Sequence, residues 1–170
     1  MEDSIKYFAY GHNSNIGQFK KRIPQAKLIG TATLWGWHFE LKHFANIAKD
    51  ASGSVQGVLW SIPRSSLSML DKDEDYHVHY NRTKVTVDCS GERIHAVTYI
   101  MTEKYRDSHL SCKKDLPTAK YVKWIAKGYR ENHIGLAQLI SAVEDRIAEE
   151  KQEHDGKHNR HRNTASHFRR

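Results

Sequence analysis

The order of its segments predicts that this chain folds as an α+β protein. Several segments of β-branched and aromatic residues come first, then a short helix and two further strands, and apolar residues at helical spacing fill residues 118–147. Strands followed by a run of helices are typical of α+β domains. The length of 170 residues suits one domain, and the hydrophobic content of 38% is enough to form a core.

The N-terminal segments have the composition of strands. Residues 5–10 are β-branched and aromatic and end at a glycine, which predicts a strand that enters a turn over residues 11–15. Residues 27–42 are rich in Thr, Leu, Trp and Phe. They predict one or two strands with a bend or bulge at Gly30 and Gly36.

The middle of the chain predicts strand, turn and helix in succession. A short segment at residues 44–48 is followed by a polar turn at residues 50–53. Residues 55–62 then predict a strand that a proline closes. Ser65 or Ser66 can cap the short apolar helix that follows.

Two strands and two helices complete the predicted fold. Residues 82–89 alternate polar and apolar side chains, and a hairpin turn joins them to a strand over residues 93–102. Thr118 opens a helix that is expected to stop near Gly128. A second helix is expected from about Gly135. Its apolar stripe consists of Leu136, Leu139, Ile140, Val143 and Ile147.

The net charge of +7 is unevenly distributed along the chain. Residues 151–170 carry +4 of it, together with four of the twelve histidines. Because apolar residues nearly vanish after residue 150, we expect residues 1–153 to form the domain and residues 154–170 to form a basic, His-rich flexible tail. The remainder carries only +3, so nucleic acid is expected as a partner only weakly, through the tail.

The composition also predicts where the protein resides. No run of about 18 apolar residues occurs, and the N-terminus lacks the apolar core of a signal peptide, so no membrane association is expected. Cys89 and Cys112 form no CxxC motif, and two cysteines are too few to predict a disulfide framework. We therefore expect a cytoplasmic protein.

An acidic cluster at residues 71–75 follows the short helix. Its spacing resembles a calcium-binding EF-hand loop, but Tyr76 and Arg82 occupy the positions that require Gly and Glu, which excludes that loop. Acidic side chains at a helix C-terminus oppose the helix dipole. The cluster is therefore either a solvated helix end or a functional site.

Other motifs give weaker or negative evidence. His77 and His79 could bind a metal together with Asp75 if the two histidines shared a strand face, but no separated ligand pair accompanies them, and we expect no metal. There is no GxSxG nucleophile elbow, no Walker loop and no GxGxxG motif.

The turn after the first strand is a second candidate site. Successive backbone N–H groups in a strand-to-turn segment such as residues 7–13 can bind a carboxylate or a developing oxyanion. Gly11 lets a ligand approach the backbone closely. A turn that binds nothing has the same local features, so both interpretations stay open at this level.

Six short motifs, in collinear order over about residues 5–145, resemble the γ-glutamylcyclotransferase (AIG2-like) family. They are YFAYGHN (residues 7–13), similar to the family's YFAYGSN; RIPQA (22–26); VQGVLW (55–60); LDKDED (70–75), similar to Leu-Asp-x-x-Glu-Gly; YIMT (99–102), similar to Tyr-Leu-Met-Thr; and the helical segment 121–132.

The resemblance implies a fold, an activity and a site. The fold is a small closed mixed β-barrel flanked by helices. The activity is cyclisation of a small-molecule γ-glutamyl amino acid or amine to 5-oxoproline with release of the amine, an amide cyclisation of acyltransferase or lyase type that belongs to glutathione metabolism and needs no cofactor. Glu74 matches the family's catalytic carboxylate and would be the general acid/base. The implied substrate-binding residues are Tyr7, Phe8, Ala9, Tyr10, Gly11, His12, Asn13, Tyr80 and Tyr99.

Two positions depart from the family pattern. His12 stands where the family has Ser, and Asp75 stands where it usually has Gly. Both changes adjoin the implied site and bear on substrate selection, and a second carboxylate beside Glu74 could raise the pKa of that group. The alternative to an enzyme is a catalytically divergent member that binds a small molecule, or nucleic acid through its basic tail.

Overall fold

In the computed structural model, which describes residues 3–107 and 116–165 and side chains up to residue 152, five strands close into a barrel. They are β1 (Ser4–Ala9), β2 (Lys27–Leu41), β3 (Ala45–Pro63), β4 (Tyr80–Cys89) and β5 (Glu92–Met101). The strand order is β1-β3-β2-β4-β5. A parallel pairing of Tyr7 with Val97 joins β1 to β5, and the other neighbours are antiparallel. The expected closed mixed β-barrel is confirmed.

Helices flank the barrel, as the α+β prediction requires. In the described part of the chain they are α1 (Ile16–Arg22), α2 (Leu67–Asp73), α3 (Glu103–Arg106), α4 (Ala119–Glu131) and α5 (Ala137–Ala165), with 3-10 turns at His12–Ser14 and Arg64–Ser66. The described helices include none that combines the length and apolarity needed to cross a lipid bilayer.

The predicted bulges in β2 are confirmed. The register of β2 against β3 shifts between Leu28 and Gly30 and again between Trp35 and Trp37. At the second shift Gly36 has a φ of 81°, a left-handed conformation that glycine adopts at little cost. These irregularities let one long pair of strands bend around the barrel.

The predicted turn at residues 50–53 is wrong as an element boundary, because β3 runs without interruption from Ala45 to Pro63. Trp35 pairs with Ser54 and Trp37 pairs with Lys49, so these four residues lie opposite a single residue of β2. The polar, turn-forming side chains therefore mark a wide bulge rather than a break between two strands.

The capping prediction for α2 is also wrong in detail. The helix forms as expected, but the side chain of Ser66 makes no capping hydrogen bond. A 3-10 turn at Arg64–Ser66 precedes the helix and already places Ser66 in helical backbone, with φ −74° and ψ −12°. An N-cap side chain reaches the helix N–H groups from a non-helical backbone, which this residue lacks.

Helix α4 begins as predicted and ends later than predicted. Thr118 Oγ1 accepts a hydrogen bond from the Tyr121 N–H, which caps the helix. The helix does not stop at Gly128 but continues to Glu131. A Cβ atom at Gly128 would lie 2.4 Å from Ser14 Oγ, so this glycine serves a close approach between elements and not a helix end.

Helix α5 differs from the expectation in its buried face and in its length. Leu139 is buried as expected, whereas Ile140 is 52% exposed, and Ala142 and Arg146 complete the buried stripe. The backbone stays helical to Ala165, into the segment expected to be a flexible tail. Once the first turns are fixed by packing, each further residue adds a backbone hydrogen bond, which extends a helix without new core contacts. Residues 166–170 lie outside the described residues.

Candidate active site

A cavity of about 270 Å³ opens where the end of β1, the start of β3 and the helices α2 and α4 meet. The residues that line it are Tyr7, Tyr10, Gly11, His12, Asn13, Phe44, Ala45, Asp73, Glu74, His79, Tyr80, Thr98, Tyr99, Tyr121 and Trp124. Seven of the fifteen are Phe, Trp or Tyr, two more are histidines, and two carboxylates line the same space. Such a cavity can enclose a small polar molecule against apolar walls.

The segment after β1 forms a tight 3-10 turn at one wall. Ser14 N–H donates to Gly11 C=O at 3.0 Å, and Asn15 N–H donates to His12 C=O at 3.1 Å. The first two N–H groups of the turn, those of His12 and Asn13, have no acceptor within it. Both residues line the cavity. The turn therefore has two backbone donors without acceptors inside it, in residues that border the cavity.

The core of the barrel and α4 hold this turn in place. The indole N–H of the fully buried Trp60 donates to Asn13 C=O at 3.2 Å, and Asn132 Nδ2 donates to Ser14 C=O at 3.1 Å. The Tyr129 hydroxyl donates to Tyr10 C=O at 2.6 Å. Because these partners are buried, three hydrogen bonds from two elements, β3 and α4, hold the segment in place.

Glu74 stands at the C-terminal end of α2, where its N–H still donates to Leu70 C=O at 2.9 Å. Its carboxylate accepts a hydrogen bond from Asn13 Nδ2 at 3.2 Å, which joins the helix to the turn. Burial raises the pKa of Glu74 to about 7, with a further increase from the neighbouring Asp73 carboxylate. Arg22 and the Asn13 amide act against that increase. A carboxyl group with this pKa can both accept and donate a proton near neutral pH.

His12 contacts a charged pair at the rim of the cavity. Its Nε2 lies 3.4 Å from Arg22 Nη2, and Arg22 Nη1 lies 3.1 Å from Asp73 Oδ2. Burial lowers the pKa of His12 to about 4, and Arg22 adds to the decrease. The residue that replaces the family's serine is therefore a neutral imidazole at neutral pH.

The hydroxyl groups of the cavity tyrosines fall into two sets. In the first set, the Tyr10 hydroxyl donates to Tyr99 C=O at 2.5 Å, that of Tyr80 donates to Ala45 C=O at 2.9 Å, and that of Tyr99 donates to Asp71 Oδ1 at 2.6 Å. By contrast, the Tyr7 hydroxyl accepts from Asn13 Nδ2 at 2.9 Å, and the Tyr121 hydroxyl accepts from Ala45 N–H at 3.0 Å. A hydroxyl that accepts keeps its own O–H as a donor, so Tyr7 and Tyr121 can each donate to a molecule in the cavity.

A hydrogen-bond network ties α2 to the barrel wall. Both oxygens of Asp71 are engaged, Oδ1 by the Tyr99 hydroxyl and Oδ2 by Arg82 Nη1, each at 2.6 Å. Asp71 lies one helical turn before Glu74. Fixing Asp71 to β4 and β5 therefore also sets the position of the Glu74 carboxylate.

The structure brings most of the sequence-predicted site residues together. Glu74, Tyr80, Tyr99 and the turn residues line the cavity, whereas Phe8 and Ala9 lie in the barrel core, at 0% and 2% exposure. Alternation along a strand explains Phe8, because Tyr7 takes the cavity side and its neighbour the opposite one. Ala9 follows on β1 with its small side chain packed in the core.

Several lining residues were missed by the sequence analysis. Tyr121 and Trp124 are three residues apart on α4 and so share a helix face, a pattern visible in the sequence. Phe44 reaches the cavity from the start of β3 and packs against Tyr121, with ring centroids 5.3 Å apart. Nothing in the sequence shows that these segments face the acidic cluster.

The histidine pair considered as a metal site is arranged differently from the expectation. His77 and His79 do not lie on a strand but in the connection before β4, and His77 has a φ of 71°. Its ring stacks on Tyr76, with centroids 3.6 Å apart. Among residues 3–107 and 116–152, no group of three or more His, Cys, Asp or Glu side chains is placed to hold a metal ion.

Asp75 likewise does not act as a second carboxylate beside Glu74. Its side chain turns toward His79, with Oδ2 3.1 Å from Nδ1, and Asp73 is the acidic neighbour that raises the pKa of Glu74. Asp75 has a φ of 50°. This left-handed backbone accounts for the glycine in the family pattern, and aspartate is among the few other residues that adopt it readily.

Comparison with known proteins finds a family model and relatives that are similar to this chain. The family model described as γ-glutamyl cyclotransferase, AIG2-like, matches residues 7–125. Over 148 residues the chain is 28% identical to γ-glutamylcyclotransferase of Bos taurus, covering 79% of this chain and 74% of that protein. The Homo sapiens γ-glutamylcyclotransferase is 27% identical over 159 residues, covering 84% and 80%.

A solved structure is similar over most of its length. The structure named γ-glutamyl cyclotransferase superposes with a TM-score of 0.67 at 24% sequence identity, covering 86% of this chain and 88% of that one. At this identity the likeness concerns the fold, which includes the barrel on which the cavity is built.

Proposed function

Because the chain belongs to the γ-glutamyl cyclotransferase, AIG2-like family, we propose that it is an enzyme that cyclises a γ-glutamyl amino acid or amine to 5-oxoproline and releases the amine. Glu74 is the general acid/base of this reaction. The observation that carries the proposal is the position of this carboxylate, in an aromatic cavity and 3.2 Å from the Asn13 amide of the turn.

The substrate contains both reacting groups, so the protein needs no nucleophile of its own. The α-amine of a γ-glutamyl amide attacks the γ-carbonyl carbon and closes a five-membered lactam. Enclosing the flexible glutamyl chain so that these atoms meet supplies much of the rate by proximity. A cavity of about 270 Å³ with aromatic walls suits this task.

Glu74 prepares the attacking amine. The α-amino group of the substrate is protonated at neutral pH and is not nucleophilic until it loses a proton. With its pKa raised to about 7, Glu74 is partly ionised near neutrality and basic enough to take this proton. It can then return a proton to the departing nitrogen.

Backbone N–H groups of the turn stabilise the negative charge that develops on the carbonyl oxygen of the substrate. The His12 and Asn13 N–H groups lack acceptors within the turn and lie beside the cavity, which suits them to hydrogen-bond an oxyanion. The O–H groups of Tyr7 and Tyr121 are the further donors for the carboxylate or carbonyl oxygens of the substrate.

The proposal is tested by incubating the full chain with a panel of γ-glutamyl amino acids and γ-glutamyl amines and measuring 5-oxoproline. We expect release from at least one member of the panel. The matched controls are the α-glutamyl isomers, in which attack by the amine would close a three-membered ring, so no 5-oxoproline is expected. Failure of every γ-glutamyl compound would contradict the proposed function.

A further inference from the structure

The connection between α2 and β4 places an aspartate and a histidine against each other at the cavity. His79 Nδ1 lies 3.1 Å from Asp75 Oδ2, and His79 is one of the cavity-lining residues. The contact with the carboxylate lies on the Nδ1 side of the ring, which leaves Nε2 as the ring nitrogen that can exchange a proton with a bound molecule. The proposed roles of Glu74 and of the turn make no use of this pair.

The pair is held rigidly. His79 N–H donates to Asp75 C=O, and Thr102 N–H donates to His79 C=O, both at 2.9 Å. The His79 ring also packs on Tyr105, with centroids 4.1 Å apart. Asp75 and His77 both adopt positive φ, a conformation that aspartate and histidine accept more readily than most other non-glycine residues.

Cyclisation leaves a second proton transfer to be assigned. The α-nitrogen enters as an ammonium group with three protons and ends as a lactam N–H, while the departing nitrogen gains two protons on becoming an ammonium ion. Two protons must therefore cross from one nitrogen to the other. Glu74 accepts the first one, which frees the α-amine to attack. The C–N bond to the departing amine breaks only when that nitrogen has received a proton, because an amide anion is a very poor leaving group.

We propose that His79, oriented by Asp75, is a second catalytic residue that donates a proton to the departing amine, an inference that rests on the proposed function. After the α-amine has attacked, Nε2 of His79 accepts the second proton from the α-nitrogen of the tetrahedral adduct. As the C–N bond breaks, this proton passes to the leaving nitrogen, and the bonding electrons remain on that nitrogen. Glu74 then gives the first proton to the released amine, so that the departing nitrogen has gained two protons and both side chains return to their starting states.

The test compares two leaving groups of different basicity. The 4-nitroaniline of γ-glutamyl-4-nitroanilide departs with little need of protonation, whereas the benzylamine of γ-glutamyl-benzylamide requires it. For His79→Gln we expect kcat to fall by about 10²-fold with the benzylamide, the usual size of a general-acid contribution. With the nitroanilide, kcat should stay close to that of the unaltered protein. A role limited to structure would lower both rates alike.

Two further variants keep the test decisive. Asp75→Asn retains the imidazole and the tolerance for positive φ, and should show the same dependence on the leaving group with a smaller loss. His77→Asn alters a neighbour whose ring stacks on Tyr76, outside the cavity lining, and should behave like the unaltered protein with both substrates.

The outcomes separate this proposal from the proposed function. Equal losses with both substrates, or no loss with the benzylamide, would overturn the role of His79 and leave the cyclisation intact. Absence of 5-oxoproline from these two substrates and from the whole panel of γ-glutamyl compounds, with the unaltered protein, would overturn both proposals.

Discussion

The burial that makes Glu74 useful as a base also lowers the stability of the folded protein. Its pKa is raised to about 7 mainly because its surroundings remove the carboxylate from water, and the Asp73 charge adds to this effect. One hydrogen bond from the Asn13 amide, at 3.2 Å, replaces only part of the hydration that the carboxylate loses on burial. A group tuned in this way is useful as a base near neutral pH, but its ionised form is less stable in the folded protein than in the unfolded chain.

This effect of burial predicts a pH-dependent stability difference. Between the ordinary value of 4.5 and about 7, the folded protein binds more protons at Glu74 than the unfolded chain does, so this residue lowers stability progressively as pH rises through that window. Glu74→Gln keeps an oxygen for the Asn13 amide but cannot ionise. The midpoint of thermal unfolding of the variant, relative to the unaltered protein, should therefore increase from pH 4.5 to pH 8. An unchanged difference, like that expected for the exposed Glu144→Gln, would contradict the assignment.

At the scale of elements, two helices, α2 and α4, position the residues of the site. Helix α2 delivers Glu74 and is fastened to β4 and β5 through Asp71. Helix α4 contributes cavity-lining aromatic residues and also supports the turn after β1, with Asn15 Nδ2 donating to Trp124 C=O at 3.4 Å. The turn and α4 approach so closely at Gly128 that no side chain fits between them.

This close approach predicts the effect of Gly128→Ala. The added Cβ would lie 2.4 Å from Ser14 Oγ and 2.5 Å from Asn15 N, and the backbone of the turn cannot yield without moving its N–H groups. We expect a loss of about 1–3 kcal/mol in the free energy of unfolding, as for other overpacked sites, with a fall in 5-oxoproline release. Chemical denaturation and the activity assay measure both.

The matched control for this prediction is Gly17→Ala. Its added Cβ would meet nothing closer than Asn15 Oδ1, at 3.8 Å, an ordinary contact distance. Alanine also favours the helical backbone of α1. Equal behaviour of the two variants would contradict the role of the contact between α4 and the turn.

At the scale of the whole molecule, local patterns predict the strands and family resemblance predicts how they assemble. The hairpin at Ser90–Gly91 follows from the sequence, since both residues adopt the positive φ of a tight hairpin turn. Barrel closure does not, because it depends on Tyr7 pairing with Val97, ninety residues further along the chain. Patterns of neighbouring residues carry no information about such a pairing.

The same limit applies to the candidate site. Glu74 and the turn were predicted because short motifs mark them, whereas Phe44 and Tyr121 meet only after the barrel has closed and α4 has packed on it. The sequence predicted the wrong role for Gly128. A glycine that ends a helix and a glycine that makes room for a neighbouring backbone cannot be told apart from the sequence alone. Tertiary packing decides between them.

The central claim is that Glu74 takes the proton whose removal lets the α-amine of the substrate attack. It is tested most directly by 5-oxoproline release from Glu74→Gln, with a γ-glutamyl substrate that the unaltered protein turns over. The account predicts a loss of at least about 10²-fold with the folded structure intact by circular dichroism, whereas Glu144→Gln keeps full activity. Full activity of a folded Glu74→Gln protein would contradict the account.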